Sequence, residues 1–143
     1  MSLVDPTGRL LIEIRDDAGV AALVSGRVRG GEPAAGDALG PGHYQRFVVL
    51  VRLARTRLPR APIQEVRYAA RCYGTTYQDA AALAGAVSDA VHARGHRITP
   101  GGLSIFGSFD DGGGGAAKDP DTGQPYEVVF ISVGALDRVL PMA

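Results

Sequence analysis

From residue 65 to residue 72 apolar and charged positions nearly alternate, with Val66, Tyr68, Ala70 and Cys72 set against Glu65, Arg67, Ala69 and Arg71. A period of two with one apolar and one charged side predicts a strand buried on one face. Upstream, Phe47, Val49, Val51 and Leu53 share one face of a second strand, and Arg46, Val48, Leu50 and Arg52 share the other. That strand is apolar on one side and mixed on the other. Pro59 and Pro62 cannot donate to a ladder, so RTRLPRAP predicts a connection between the two. Two more strands are predicted at LSIFGSF (103–109) and YEVVFISV (126–133). The second is apolar on both faces and therefore central.

The period lengthens to that of a helix in two places. Asp5-Pro6 offers a cap with proline at the first helical position, and Leu10, Leu11, Ile14, Ala18, Ala21 and Leu23 follow at helical steps. These predict a first helix, with Gly19 the point at which it would break. After Tyr77, the residues Ala80, Leu83, Ala84, Val87 and Val91 form one stripe, with Asp79, Ser88 and Asp89 away from it and Gly95 placed to end the helix. Thr75 and Gln78 have the spacing of a capping box, so the corner YGTTYQD is explained without a bound phosphate. Asp79 in the first turn would repel one.

Residues 25–45 are crowded with Gly, Pro and Ala and predict a loop with a short strand at Val28. Residues 110–125, DDGGGGAAKDPDTGQP, have almost nothing to bury and predict a long polar hairpin loop. The order helix, two strands, helix, two strands predicts a single α+β domain over residues 1–143. Its expected form is a mainly antiparallel four-stranded sheet with two helices packed on one face.

Composition adds little to this picture but excludes several classes. The chain has 143 residues, 45% of them apolar and 21% charged, which is globular rather than disordered composition. No run reaches the roughly 18 apolar residues of a membrane span. The start, MSLVDPTGR, lacks a basic segment followed by an apolar block, so the expected compartment is the cytoplasm. Cys72 is the only cysteine, which rules out an internal disulfide, and its place on the apolar face predicts core packing. Net charge is zero but unevenly spread. Residues 1–72 hold 11 arginines against 7 acids, and residues 73–143 hold 4 basic groups against 8 acids. A neutral total argues against a general nucleic-acid binder, and the split suits two faces that meet copies of the chain or different partners.

Tests for chemistry give no catalytic group, cofactor site or metal site. GGGGAAKD lacks the Gly-Lys-Ser/Thr ending of a phosphate loop. Asp119, Asp121 and Glu127 do not fit the register of a calcium loop. His92 and His96 are four apart, but Gly95 falls between them, and His43 is remote. Ser104 lacks the spacing of a nucleophile elbow. The expectation is a protein that is not an enzyme.

The combination VRYAARCYGTTYQDAAALAGAVSDAVH, a glycine-rich hairpin and DTGQPYEVVFISV, with VAALVSGRV at 20–28, resembles the tail terminator proteins of long-tailed bacteriophages, also described as tail completion or minor tail proteins. The resemblance covers most of the chain. It implies a virion protein that forms a ring, usually a homo-hexamer, at the head-proximal end of the tail, assembled in the host cytoplasm. Such a ring stops tube polymerisation and offers a surface for head-tail joining. The implied partners are further copies of the chain, the tail tube protein and a head-completion or connector protein, with transient contact to DNA in the lumen and no membrane. A head-to-tail ring needs two different patches on each protomer. The candidates are Arg46, Arg52, Arg55, Arg57, Arg60, Arg67 and Arg71 for one, with DNA in the lumen as their alternative contact, and Asp110, Asp111, Asp119 and Asp121 for part of the other or for the tail tube. Alternatives are a head-completion or stopper protein of the same virion class, or a small cytoplasmic module binding a ligand near Tyr68, Tyr73 and Tyr77.

Overall fold

The computed structural model describes residues 5–31, 45–57, 63–92, 94–98 and 104–136. The elements are α1 (Thr7–Asp16), α2 (Ala18–Val24), β1 (Val28–Gly30), β2 (Phe47–Arg57), β3 (Ile63–Tyr73), α3 (Tyr77–Val91), β4 (Arg97–Ile98), β5 (Ser104–Lys118) and β6 (Pro125–Leu136). The strands form one six-stranded sheet in the order β1-β2-β3-β6-β5-β4, with β1 parallel to β2 and every other neighbour antiparallel.

The expected four-stranded sheet with two helices is therefore corrected to a mixed six-stranded sheet with three. One cause adds two strands. β1 and β4 have three and two residues, too few to leave a period in the sequence, although Val28 does begin the first. One cause adds a helix. Asp17 has extended backbone (ψ 130°) and its carboxylate accepts from the Val20 amide at 3.1 Å, so it ends α1 and caps α2. The break thus falls at Asp17, two residues before Gly19.

The predicted hairpin loop 110–125 is also corrected. Residues 110–118 continue β5, whose glycine run pairs with β6 from Gly113↔Val129 to Lys118↔Pro125. Only residues 119–124 turn. The glycines bury no side chain, but β6 presents an unbroken ladder of backbone donors and acceptors, and strand pairing satisfies those groups. The run follows it by bulging, with register shifts between Asp110 and Gly115 and positive φ at Gly112 and Gly115.

All three helices cover one face of the sheet. There Leu10, Ile14, Val20, Val24, Leu83, Val87 and Val91 pack on Val48, Leu50, Val66, Tyr68, Ala70, Cys72, Val129, Ile131 and Val133. The predicted stripe of α3 is buried as a whole. In β2 the mixed side, Val48 and Leu50, meets the helices, while Phe47 and Val49 form a second cluster with Tyr73 on the opposite face. Phe47 and Tyr73 stack there with ring centroids 4.3 Å apart. A register shift between Arg52 and Ala54 leaves Leu53 51% exposed. β3 follows its predicted alternation, except that Ala69 on the charged side is also buried.

Candidate interaction surfaces

The corner where β3 passes into α3 is held by side chains from three directions. Thr76 is the N-cap and accepts from the Asp79 amide at 3.1 Å. Asp79 replies by accepting from the Thr75 amide (2.8 Å) and hydroxyl (2.9 Å), so the reciprocal cap sits one residue beyond the predicted Thr75–Gln78 pair. Arg46 donates from Nε to the same carboxylate at 2.7 Å. From below, the buried Gln124 amide donates to the carbonyls of Gln45 (2.7 Å) and Gly74 (3.2 Å). The corner is a structural joint.

The seven candidate arginines occupy different parts of the molecule. Arg46 belongs to the joint. Arg52 pairs with Asp5 at 2.8 Å and Arg55 approaches the same carboxylate at 3.8 Å, both on the helix side of β2. Arg67 lies on the helix-free face and pairs with Asp111 at 3.1 Å, joining members of the two proposed patches within one chain. Arg71 is exposed on that face and its charge acts on Tyr73 and Asp119. Arg57 lies at the end of β2, and Arg60, like His43, lies outside the described residues.

The acids are equally divided. Asp110 faces the helices and accepts from the Ser88 hydroxyl, whereas Asp111 faces the other way. Asp119 accepts from the amides of Asp121 (2.8 Å) and Thr122 (3.2 Å) and from the Tyr73 hydroxyl (3.3 Å), which closes the β5–β6 turn. Asp121 is exposed.

The tyrosines of the alternative ligand groove do not converge. Tyr68 is buried on the helix side against the Thr7 hydroxyl (3.0 Å), Tyr73 is buried on the other face, and Tyr77 is 46% exposed. Burial pushes the Tyr68 phenol up to about 12 despite its hydrogen bond to Thr7. It also raises the Cys72 thiol, in keeping with a core residue. His92 and His96 go separate ways: His92 Nδ1 accepts from the Asp110 amide at 3.1 Å, and His96 Nε2 meets the Ser104 hydroxyl at 2.6 Å. α3 ends at Val91, ahead of Gly95.

One charged centre was not foreseen. Glu13 in α1 has a side chain only 2% exposed and is surrounded by three guanidinium groups. Arg97 grips both carboxylate oxygens, with Nη2 at 2.7 Å, while Arg9 (3.4 Å) and Arg94 (3.7 Å) flank it. Arg97 also donates to the buried Ser108 hydroxyl (3.2 Å), which donates to the Val91 carbonyl (2.7 Å). This network ties α1, α3, β4 and β5 together. A groove of about 250 Å³ opens beside it between Arg9, Glu13, Asp17 and Arg94. The available sequence signal was Glu13 itself, a carboxylate three residues after Leu10 on the apolar stripe.

Asp5, Asp79 and Asp119 share a pH signature. Burial by itself raises each carboxyl, but hydrogen bonds and nearby arginines outweigh it and hold all three below the ordinary aspartate value. A pKa depressed in the folded state contributes stability that is present above the unfolded value, about 3.9, and is lost as pH falls through the folded values. The urea midpoint is therefore expected to hold from neutral pH to about 5 and to decline below about 4. Asp79→Asn should flatten part of that decline; a wild-type midpoint still constant at about pH 3 would exclude these carboxylates as contributors.

No protein-family model matches the sequence, and no curated protein matches it. Among solved structures, the fold matches a chain from the virion of the native gene transfer agent particle, with a TM-score of 0.67. The match is 19% identical and covers 89% of this chain and 91% of that one. What the two chains share is a fold over nearly their whole lengths.

Proposed function

We propose that this chain is a structural component of a phage-like virion, and that it acts as a ring at the head-proximal end of a tail, in the manner of a tail terminator. The observation that carries the proposal is the near full-length likeness in fold to a virion chain of a gene transfer agent particle. The internal design supports it. Polar side chains are engaged in capping, turning and cross-linking the fold, as at Asp79, Asp119 and Glu13. The helix-free sheet face carries Arg67, Arg71, Asp111 and a half-exposed Phe109, charges and apolar surface of the kind that orient and hold a neighbouring subunit.

Native mass spectrometry with negative-stain electron microscopy tests this. A cyclic assembly of one stoichiometry is expected, formed alone or upon addition of tail tube protein. A chain that stays monomeric under both conditions would overturn the ring.

A further inference from the structure

We infer that neighbouring copies join by antiparallel pairing of β5 from one protomer with β2 of the next, continuing the sheet from chain to chain. The inference rests on the ring reading and specifies how the ring closes.

Among the described residues, the sheet has unpaired edges at two diagonally opposite corners. β1 covers β2 only from Val48 to Leu50, and β4 covers β5 only at Ser104 and Ile105, followed by one bridge at Ser108. Among the described residues, no strand pairs the outer edge of β2 from Arg52 to Arg57, or that of β5 beyond Asp110 and Gly112, whose amides are taken by His92 and the Asp110 carboxylate. An exposed strand edge is a template for another strand. The β2 edge also holds a large exposed apolar side chain, Leu53 (51%). Neither run contains proline, and after the bulge that ends at Gly115 (φ 77°) β5 is small and regular, with Ala116, Ala117 and Lys118 in unbroken register on β6.

A second copy is the occupant that both edges fit at once. The antiparallel steps β2–β3, β3–β6 and β6–β5 make β5 run opposite to β2, so a copy placed beside the first in the same orientation presents antiparallel edges. The offset between copies follows from the register. Ala117 lies on the row of Tyr126, Tyr73 and Phe47, whereas Ala54 lies on the row of Ser132, Arg67 and Phe109. Along β6 those rows are separated by the step from Tyr126 to Ser132, six residues. An even step keeps the helix-covered face of one copy continuous with that of the next. The pairing then sets Ala117 against Ala54, Ala116 against Arg55 and Gly115 against Thr56. The minimal β5 side chains leave room for the arginine. Lys118 comes beside Arg52, whose charge Asp5 already meets at 2.8 Å.

The offset also bears on closure. Six residues along the strand are about 20 Å, and the four strands from β2 to β5 are about 19 Å wide, which inclines the strands by roughly 45°. Sheets close into barrels at about 35–45°. The short strands β1 and β4 pass beyond the ends of the neighbour's β5 and β2.

Cysteine cross-linking tests the pairing, because Cys72 is 0% exposed and leaves an introduced cysteine as the reactive thiol. A mixture of Ala54→Cys and Ala117→Cys chains is expected to form covalent dimers under mild oxidation, several-fold more than Ala117→Cys mixed with Ala82→Cys on the exposed side of α3. A single chain carrying both Ala54→Cys and Ala117→Cys should give a ladder ending at the ring mass. Dimers from Ala117→Cys alone would show β5 meeting β5 and overturn the proposal. A ring seen by native mass spectrometry without the 54–117 cross-link would discard the strand pairing and leave the ring standing; no assembly at all would discard both.

Discussion

Glu13→Ala is expected to destabilise the fold by about 3–5 kcal/mol, because it strips a buried carboxylate from a guanidinium that is largely shielded from water. The Arg97 side chain is only 13% exposed and places Nε and Nη2 on the two Glu13 oxygens. Arg9 and Arg94 would also face one another across the vacancy. Glu13→Gln keeps the shape but not the charge and should recover only a minor part of the loss. Replacing both partners, Glu13→Leu with Arg97→Leu, should cost clearly less than the two single changes together, since no charge is left behind. Urea denaturation of the wild type, Glu13→Ala, Glu13→Gln, the two single leucine variants and their double measures all of this. A loss below about 1 kcal/mol for Glu13→Ala would mean that the cluster behaves like a surface ion pair.

The second large effect is at Gly74. A Cβ added there would lie 2.3 Å from the Ala80 amide nitrogen and 2.8 Å from the Ala80 Cα, backbone atoms of the first turn of α3 that cannot rotate away. The joint would have to open, and with it the hydrogen bonds from Gln124 to Gly74 and from Gly74 to Pro125. Gly74→Ala is expected to cost at least about 3 kcal/mol and to lower the melting temperature by roughly 10 °C. Gly85→Ala is the control with the opposite sign. It lies on the exposed side of α3 with nothing within 4 Å of the added carbon, so helix propensity predicts a gain of up to about 1 kcal/mol. If Gly74→Ala melted with the wild type, the close packing of strand end on helix start would be refuted.

What could be read in the sequence was whatever leaves a long period. β3, the buried stripe of α3 and the central place of β6 were legible because each repeats its pattern over two turns or several pleats. β1 was legible only as a short strand at Val28, and β4 not at all, since two or three residues have no period. The glycine run of β5 misled for a different reason: its strand is dictated by β6, whose ladder lies outside the run. The capping pair was displaced by one residue because Thr75 and Thr76 offer the same hydroxyl, and only the chain's entry angle selects between them.

The candidate surfaces were less legible than the fold. Residue type marked the arginines and aspartates, but pairings such as Arg67 with Asp111 and Arg46 with Asp79 span 44 and 33 positions, and no spacing rule reaches that far. Glu13 and Arg97, 84 positions apart, escaped for the same reason. A carboxylate on an apolar stripe announces that a cation must come to it, not which one.

The seam between β3 and β6 has a kinetic consequence. β2 with β3 and β5 with β6 are hairpins whose partners are near in sequence, whereas β3 and β6 pair in unbroken register from Ile63↔Leu136 to Tyr73↔Tyr126. Every pair in that seam closes a loop of more than fifty residues, the kind of closure whose entropy must be met before any contact rewards it. The two hairpins are thus expected to form early and the seam late, with folding in milliseconds to seconds rather than microseconds. Until the seam zips, both hairpins carry bare inner edges, so the newly made chain has more open strand edges than the finished one, and crowding during synthesis should favour mispairing at β3 and β6.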